Sequence, residues 1–135
     1  MSMSSVKALM RKACTGFLAT TDGRRAAVRP MSACAWFGRE LWIATGAKSA
    51  KVADVRKRPA AEVCYMAADF CNVRIAGACR LSRKPADKLK MFGAFRWMKD
   101  YFGSPADPAW VVLRMKPTRI RLMGKDLKYR EVKLP

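Results

Sequence analysis

The residues best suited to chemistry stand together in Thr45-Gly46-Ala47-Lys48-Ser49-Ala50-Lys51, where a strand-like segment gives way to a helical pattern. A turn of small residues lets backbone N–H groups approach an anion, and the N-terminus of the following helix is electropositive. Lys48 and Lys51 add full charges and Ser49 adds a hydroxyl, which together make a cradle for a phosphate monoester. Arg29 stands in an earlier strand, where hairpin pairing would carry its guanidinium toward the same place. Taken alone, the turn is better read as an ordinary helix cap with two solvated lysines, since such turns are common.

What the chain lacks narrows the chemistry further. It contains no histidine, so Ser-His and Cys-His nucleophilic sites and histidine-ligated haem are excluded. Its five cysteines, Cys14, Cys34, Cys64, Cys71 and Cys79, are odd in number and include no C-x-x-C pair. They read as small hydrophobes in a reducing compartment, with no metal and no disulfide. Lysine and arginine number 28 against 10 acidic residues, a formal net charge of +18. Such a field favours anionic partners, but the charges are scattered, with short runs such as Arg56-Lys57-Arg58, and mostly read as a solvated surface. The clustered basic and aromatic stripe of a nucleic-acid-binding barrel is missing, which ranks nucleic acid below small anions as a partner. No segment has membrane-spanning length, and Met1 to Cys14 lacks the apolar core of a secretion signal, so the expectation is a soluble, cytoplasmic protein with no membrane partner.

The elements that must position the cradle follow from periodicity. The chain, 135 residues and 51% hydrophobic, suits a single domain, 1–135, with its own core. Ser4-Ser5 is read as the cap of a first helix whose Val6, Leu9, Met10 and Ala13 share a face. Gly16 to Thr21 reads as a strand, and Asp22-Gly23 turns it into a second, Ala26 to Trp36, in which Pro30 demands an edge or a bulge. A tight turn, Phe37-Gly38-Arg39-Glu40, leads to a third strand ending at Thr45. After the cradle come a helix over 49–57, a strand over 61–66 and another over 72–81, with a bulge expected at Gly77. Pro85 opens a helix carrying Met91, Phe95, Met98 and Phe102. A last strand, Trp110 to Met123, is expected to break at Pro117, and the polar tail from Gly124 to be peripheral. These expectations describe a six-stranded antiparallel β-barrel with added helices.

Arg29-Pro30-Met31, the hairpin into Leu41-Trp42-Ile43-Ala44-Thr45, Lys48-Ser49-x-Lys51 and the later Asn72-Val73-Arg74-Ile75-Ala76-Gly77 occur in an order that resembles the flavin-binding split-barrel superfamily. That superfamily includes pyridoxamine 5′-phosphate oxidase and shorter general-stress-type proteins, and the likeness spans roughly residues 14 to 122. The resemblance implies FMN as cofactor, with FAD or a deazaflavin as alternatives, held between the subunits of a homodimer. Arg29, Pro30 and Met31 would run beneath the flavin, with Arg29 helping to neutralise its phosphate. Thr45 would meet the ribityl chain or ring, and Lys48, Ser49 and Lys51 would bind the phosphate. Asn72 stands where the superfamily often has a glutamine near the ring. The phosphate motif departs from the superfamily at its central arginine, which is Ala50 here. Vitamin-B6 oxidases carry a Trp- and Arg-rich C-terminal segment not found in this sequence, so the resemblance implies an oxidoreductase acting on another small substrate. A flavoprotein that only carries electrons is the alternative. No residue is singled out as catalytic, because a flavin carries hydride or electron transfer itself. Phe92, Phe95, Trp97, Tyr101, Phe102 and Trp110 are read as core or dimer interface, or as the wall of a substrate pocket.

Overall fold

The computed structural model describes residues 2–135. Ser2, rather than Ser4-Ser5, caps the first helix, α1 (Met3–Ala13), its hydroxyl accepting from the Ser5 N–H. Strands β1 (Gly16–Thr21) and β2 (Ala26–Met31) form the expected hairpin. The Asp22 carboxylate accepts from the N–H groups of Arg24 and Arg25 at 2.8 Å, and Gly23 takes φ +96°. These are followed by β3 (Cys34–Phe37), β4 (Glu40–Gly46), α2 (Ala50–Lys57), β5 (Ala60–Met66) and β6 (Asn72–Ser82). The chain then forms α3 (Pro85–Ala94), the short α4 (Met98–Tyr101), β7 (Trp110–Met123) and β8 (Tyr129–Val132).

All pairings are antiparallel, in the order β2-β1-β5-β6-β7-β4-β3, with β8 added to the far half of β7. β2 and β3 are consecutive in sequence yet sit at opposite edges, joined by Ser32 and Ala33 alone. Three virtual Cα bonds from Met31 to Cys34 reach about 11 Å at most. A flat sheet of this order would hold its edge strands about 29 Å apart, at roughly 4.8 Å per neighbour. The sheet must therefore roll up until its edges nearly meet, which makes a barrel split at Ser32-Ala33.

The strand count departs from the expected six in two places. The segment read as one strand, 26–36, leaves one edge and joins the other, so it is two strands. The tail read as peripheral supplies β8, where Val132 is buried opposite Ile120.

Leu18, Ile43, Val63, Ile75, Leu113, Met115 and Ile120 fill the barrel, with Val6 and Met10 of α1 and Val52 and Val55 of α2 in the same core. β4 is buried on both faces. Its Leu41 and Ile43 point inward, while Trp42 and Ala44 join Trp110, Val112, Met91 and Met98 in a second apolar layer under α3 and α4. The single helix expected from Pro85 to Phe102 is broken, because Phe95 adopts an extended backbone (φ −134°, ψ 112°) and the next helix starts at Met98. The break lets both Met91 and Met98 reach full burial.

Pro117 does not interrupt β7, because the bulge absorbs it. Ala76 faces Arg119 and Gly77 faces Pro117, so Thr118 is the extra residue, its hydroxyl donating to the Ala76 carbonyl at 3.3 Å. Gly77 is required there: a Cβ would stand 2.3 Å from the Lys116 carbonyl oxygen and 2.8 Å from Met115 Cγ. Relief would have to come from backbone in the middle of the longest strand. Gly77→Ala should therefore destabilise the protein by about 1–3 kcal/mol, the scale of overpacking in a tight core. Urea unfolding followed by circular dichroism checks this, and a midpoint equal to wild type would refute it.

Candidate functional site

The sequence between β4 and α2 folds as the cradle requires. The Ser49 N–H donates to the Gly46 carbonyl at 3.1 Å and the Ala47 N–H to the Ala109 carbonyl at 2.8 Å, which pins the turn to the barrel. Ser49 is the N-cap of α2, but its hydroxyl caps nothing. It lies 3.5 Å from the Thr45 hydroxyl instead. The Ser49 carbonyl accepts from the Val52 and Ala53 N–H groups. The N–H groups of Ala50 and Lys51 find no acceptor outside the helix among the described residues, as the first turn of a helix dictates. Two N–H groups without acceptors, and a serine hydroxyl held only by the long contact to Thr45, thus stand at the positive end of α2.

Arg29 and Lys51 are brought to one side of this turn. Arg29 Nη1 donates to Thr20 Oγ1 at 2.7 Å and to the Leu18 carbonyl at 3.3 Å, and its Nη2 lies 3.7 Å from Asp54 of α2. The Thr20 hydroxyl donates to the same Asp54 carboxylate at 2.6 Å. The guanidinium is thus aimed at α2 by a threonine and an aspartate that the sequence reading did not single out. The available signal was spacing: Lys51 and Asp54, three residues apart, share a face of the helix. Half-buried Lys51 has its ammonium pushed below the usual lysine range by loss of solvation, and the neighbouring Arg29 charge lowers it further.

Lys51 also lines a cleft of about 650 Å³ whose opposite wall is the split of the barrel, from Pro30 to Ala33. Trp97, Met98, Tyr101 and Phe102 close another side. Pro30 lies on the edge strand β2, where its missing N–H costs no ladder bond. The six aromatics separate into two roles. Trp110 is fully buried beneath Phe92 and Phe102, and Phe95 is half-buried, whereas Trp97 and Tyr101 are exposed at 37% and 73%. Lys48 is exposed on the turn, and Thr45 is buried. Asn72 is not brought to this place within the chain. It pairs with Met123 at the far end of β7, while Gly46 pairs with Trp110 at its start. There the Asn72 amide receives the Tyr129 hydroxyl at 2.7 Å and donates to the Phe70 carbonyl at 3.0 Å.

The arrangement can hold an anion at the head of α2 and a flat apolar group against Pro30, Met31 and the aromatic wall. A phosphate monoester on a planar ring system matches both halves.

The family model described as pyridoxamine 5′-phosphate oxidase matches residues 3–124. Similar solved structures include a NimC/NimA family protein from Clostridium acetobutylicum, 18% identical, with TM-score 0.84 over 96% of this chain and 89% of that one. General Stress Protein 26 from Bacillus anthracis is 19% identical, with TM-score 0.78 over 95% of this chain and 96% of that one. A pyridoxamine 5′-phosphate oxidase-related, FMN binding protein from Nostoc punctiforme is 15% identical, with TM-score 0.70 over 95% and 93%. At these identities the likeness is one of fold, the split barrel. No curated protein matches the chain significantly.

A cation held half-buried beside another cation is a cost to the empty protein. Lys51→Met keeps the stem and removes the charge, so it should raise the melting temperature while weakening phosphate-monoester binding. Thermal unfolding of both proteins without ligand tests this, and a lower melting temperature in the variant would count against it.

Proposed function

The chain belongs to the pyridoxamine 5′-phosphate oxidase family, and from that premise we propose that it is an FMN-binding flavoprotein acting as an oxidoreductase on a small substrate. The observation that carries the reading is Lys51, in the first turn of α2, lining a cleft walled by Pro30 and Met31, two residues from an N-cap serine whose hydroxyl makes no cap bond. A flavin bound there would supply hydride or electron transfer. The chain's own residues bind and orient. Ser49, Lys51 and the head of α2 hold the phosphate, with Arg29 adding charge from the side and Lys48 from solvent. Pro30 and Met31 lie along the ring and Thr45 stands beside the ribityl chain. Positive charge around the cleft would favour an anionic reduced ring. FAD and a deazaflavin also carry phosphate on their tails, as diesters and not as a terminal monoester, and mass analysis of the released cofactor decides among the three.

Asn72 serves this reading only through a second subunit, since one chain keeps it at the far end of β7. Homodimerisation is therefore part of the proposal. An apolar strip supports it: Phe17 and Val28, with neighbouring Met66, are 48%, 68% and 51% exposed on β1, β2 and β5. Light scattering should give a dimer at micromolar concentration, and a monomer throughout that range would remove this part.

The phosphate assignment is tested by comparing FMN with riboflavin. Losing one charged hydrogen bond costs about 1.5–3 kcal/mol, roughly tenfold to a hundredfold in affinity. Arg29→Ala and Lys51→Ala should each weaken FMN by that factor and leave riboflavin nearly unchanged. The preference for FMN should also fade as pH rises, starting below the usual lysine range, because Lys51 sheds its proton early. FMN affinities unaffected by both substitutions would refute the assignment. The freshly purified protein should show the visible bands of oxidised flavin.

A further inference from the structure

A second cleft, of about 590 Å³, opens on the other side of the barrel's split, between the C-terminal end of α1 and β3. We propose that it is the substrate compartment and that it takes planar aromatic carboxylates. Calling the occupant a substrate rests on the flavin reading of the adjacent cleft, whereas the ligand class rests on the residues of this one.

The walls are aromatic and fixed in place. Trp36 donates its indole N–H to the Met10 sulfur at 3.1 Å, which holds the ring against α1. Tyr65 is 3% exposed and lies so close over Gly16 that a Cβ there would come within 2.5 Å of its ring. Phe95 and Trp97, with centroids 5.5 Å apart, add two more rings to the lining. Flat rigid surfaces select a flat ligand.

The rim selects its charge. Lys7 and Arg11 stand one turn apart on α1, both exposed and both lining the cleft. Neither forms an ion pair among the described residues, whereas their neighbour Lys12 is held by Asp69 at 3.0 Å. No carboxylate lines the cleft, so nothing there repels an anion. A guanidinium beside an ammonium is a forked receptor for a carboxylate. Aromatic walls under a cationic rim together fit a ring bearing a carboxylate.

Position ties the two clefts together. Ser32 and Trp97 line both, so an occupant of the second abuts an occupant of the first across the split. The two-residue link that closes the barrel is also the boundary at which a ring in one cleft meets a ring in the other.

Isothermal titration of the FMN-loaded protein with naphthoate, and with uncharged naphthamide as control, tests the proposal. Naphthoate should bind, and the double variant Lys7→Ala/Arg11→Ala should weaken it about tenfold or more while leaving naphthamide within a factor of two and FMN affinity unchanged. Both substitutions lie on the exposed face of α1, and Arg11→Glu provides a second variant with the same expected direction. Absence of naphthoate binding, an affinity unchanged in the charge variants, equal binding of naphthamide, or displacement of naphthoate by FMN would overturn the proposal. Should FMN itself fail to bind while naphthoate keeps its charge dependence, the flavin reading falls and the aromatic-carboxylate site stands.

Discussion

The constraint on which the molecule depends is the two-residue link at Ser32-Ala33. Every strand pairing is antiparallel, and this link puts two consecutive strands at opposite edges of one sheet. Closure follows from the length of chain available, and closure creates the barrel core. Because Ser32 and Ala33 belong to neither strand, the seam keeps a gap, and both clefts open on it. Barrel and clefts are thus products of one geometrical fact.

A second constraint is the shortage of carboxylates. Among the described residues, eight lysines and arginines pair with seven acidic side chains. Four of these carboxylates stand against poorly exposed guanidinium groups, Asp54 at Arg29, Glu40 and Asp87 at Arg114, and Glu62 at Arg121. Burial alone would push the Asp87 carboxyl up, but the Ser82 hydroxyl and Arg114 outweigh it and hold it below the usual carboxylate range. Glu40 is held down in the same way by Arg114 and the Trp42 N–H. Arg114 in turn lies 4.7 Å from the centroid of the Trp42 ring, tying the barrel to its second layer. Lys7, Arg11 and Lys51, which line the two clefts, are among the cations that form no ion pair among the described residues.

Much of the fold was legible because its signals are local. Asp22-Gly23, the Phe37-Gly38-Arg39-Glu40 turn and Gly77 each impose a backbone requirement that sequence alone expresses, and all three appear where they were read. The misread elements depend on tertiary context. Nothing in Ala26 to Trp36 announces a change of sheet edge, because both halves look like strand. The break after Ala94 serves the burial of Met98 against another layer, a benefit invisible to helical periodicity. At the site, the turn and its charges could be read in order along the chain. Asp54 and Thr20 could not, because their role is to hold Arg29, and that contact exists only once β1, β2 and α2 are packed.

The arrangement around Arg29 shows how the fold keeps the head of α2 positive without losing the helix. Partial burial, and after it the repulsion from the neighbouring Arg29, holds the Lys51 ammonium below the usual lysine range. Asp54 offsets the Arg29 charge, but it sits in the second turn of α2, with Thr20 oriented onto it, so its negative charge is drawn away from the first turn. Ser49 contributes by omission. A hydroxyl that bonded to its own helix would gain about 1 kcal/mol of capping stability, and here that interaction is left unmade. The N–H groups without acceptors and the unpaired Lys51 charge both belong to the first turn of α2. Such a concentration of forgone stability is what a site preorganised for a dianion requires, since groups already satisfied within the protein would have to be freed before they could bind it.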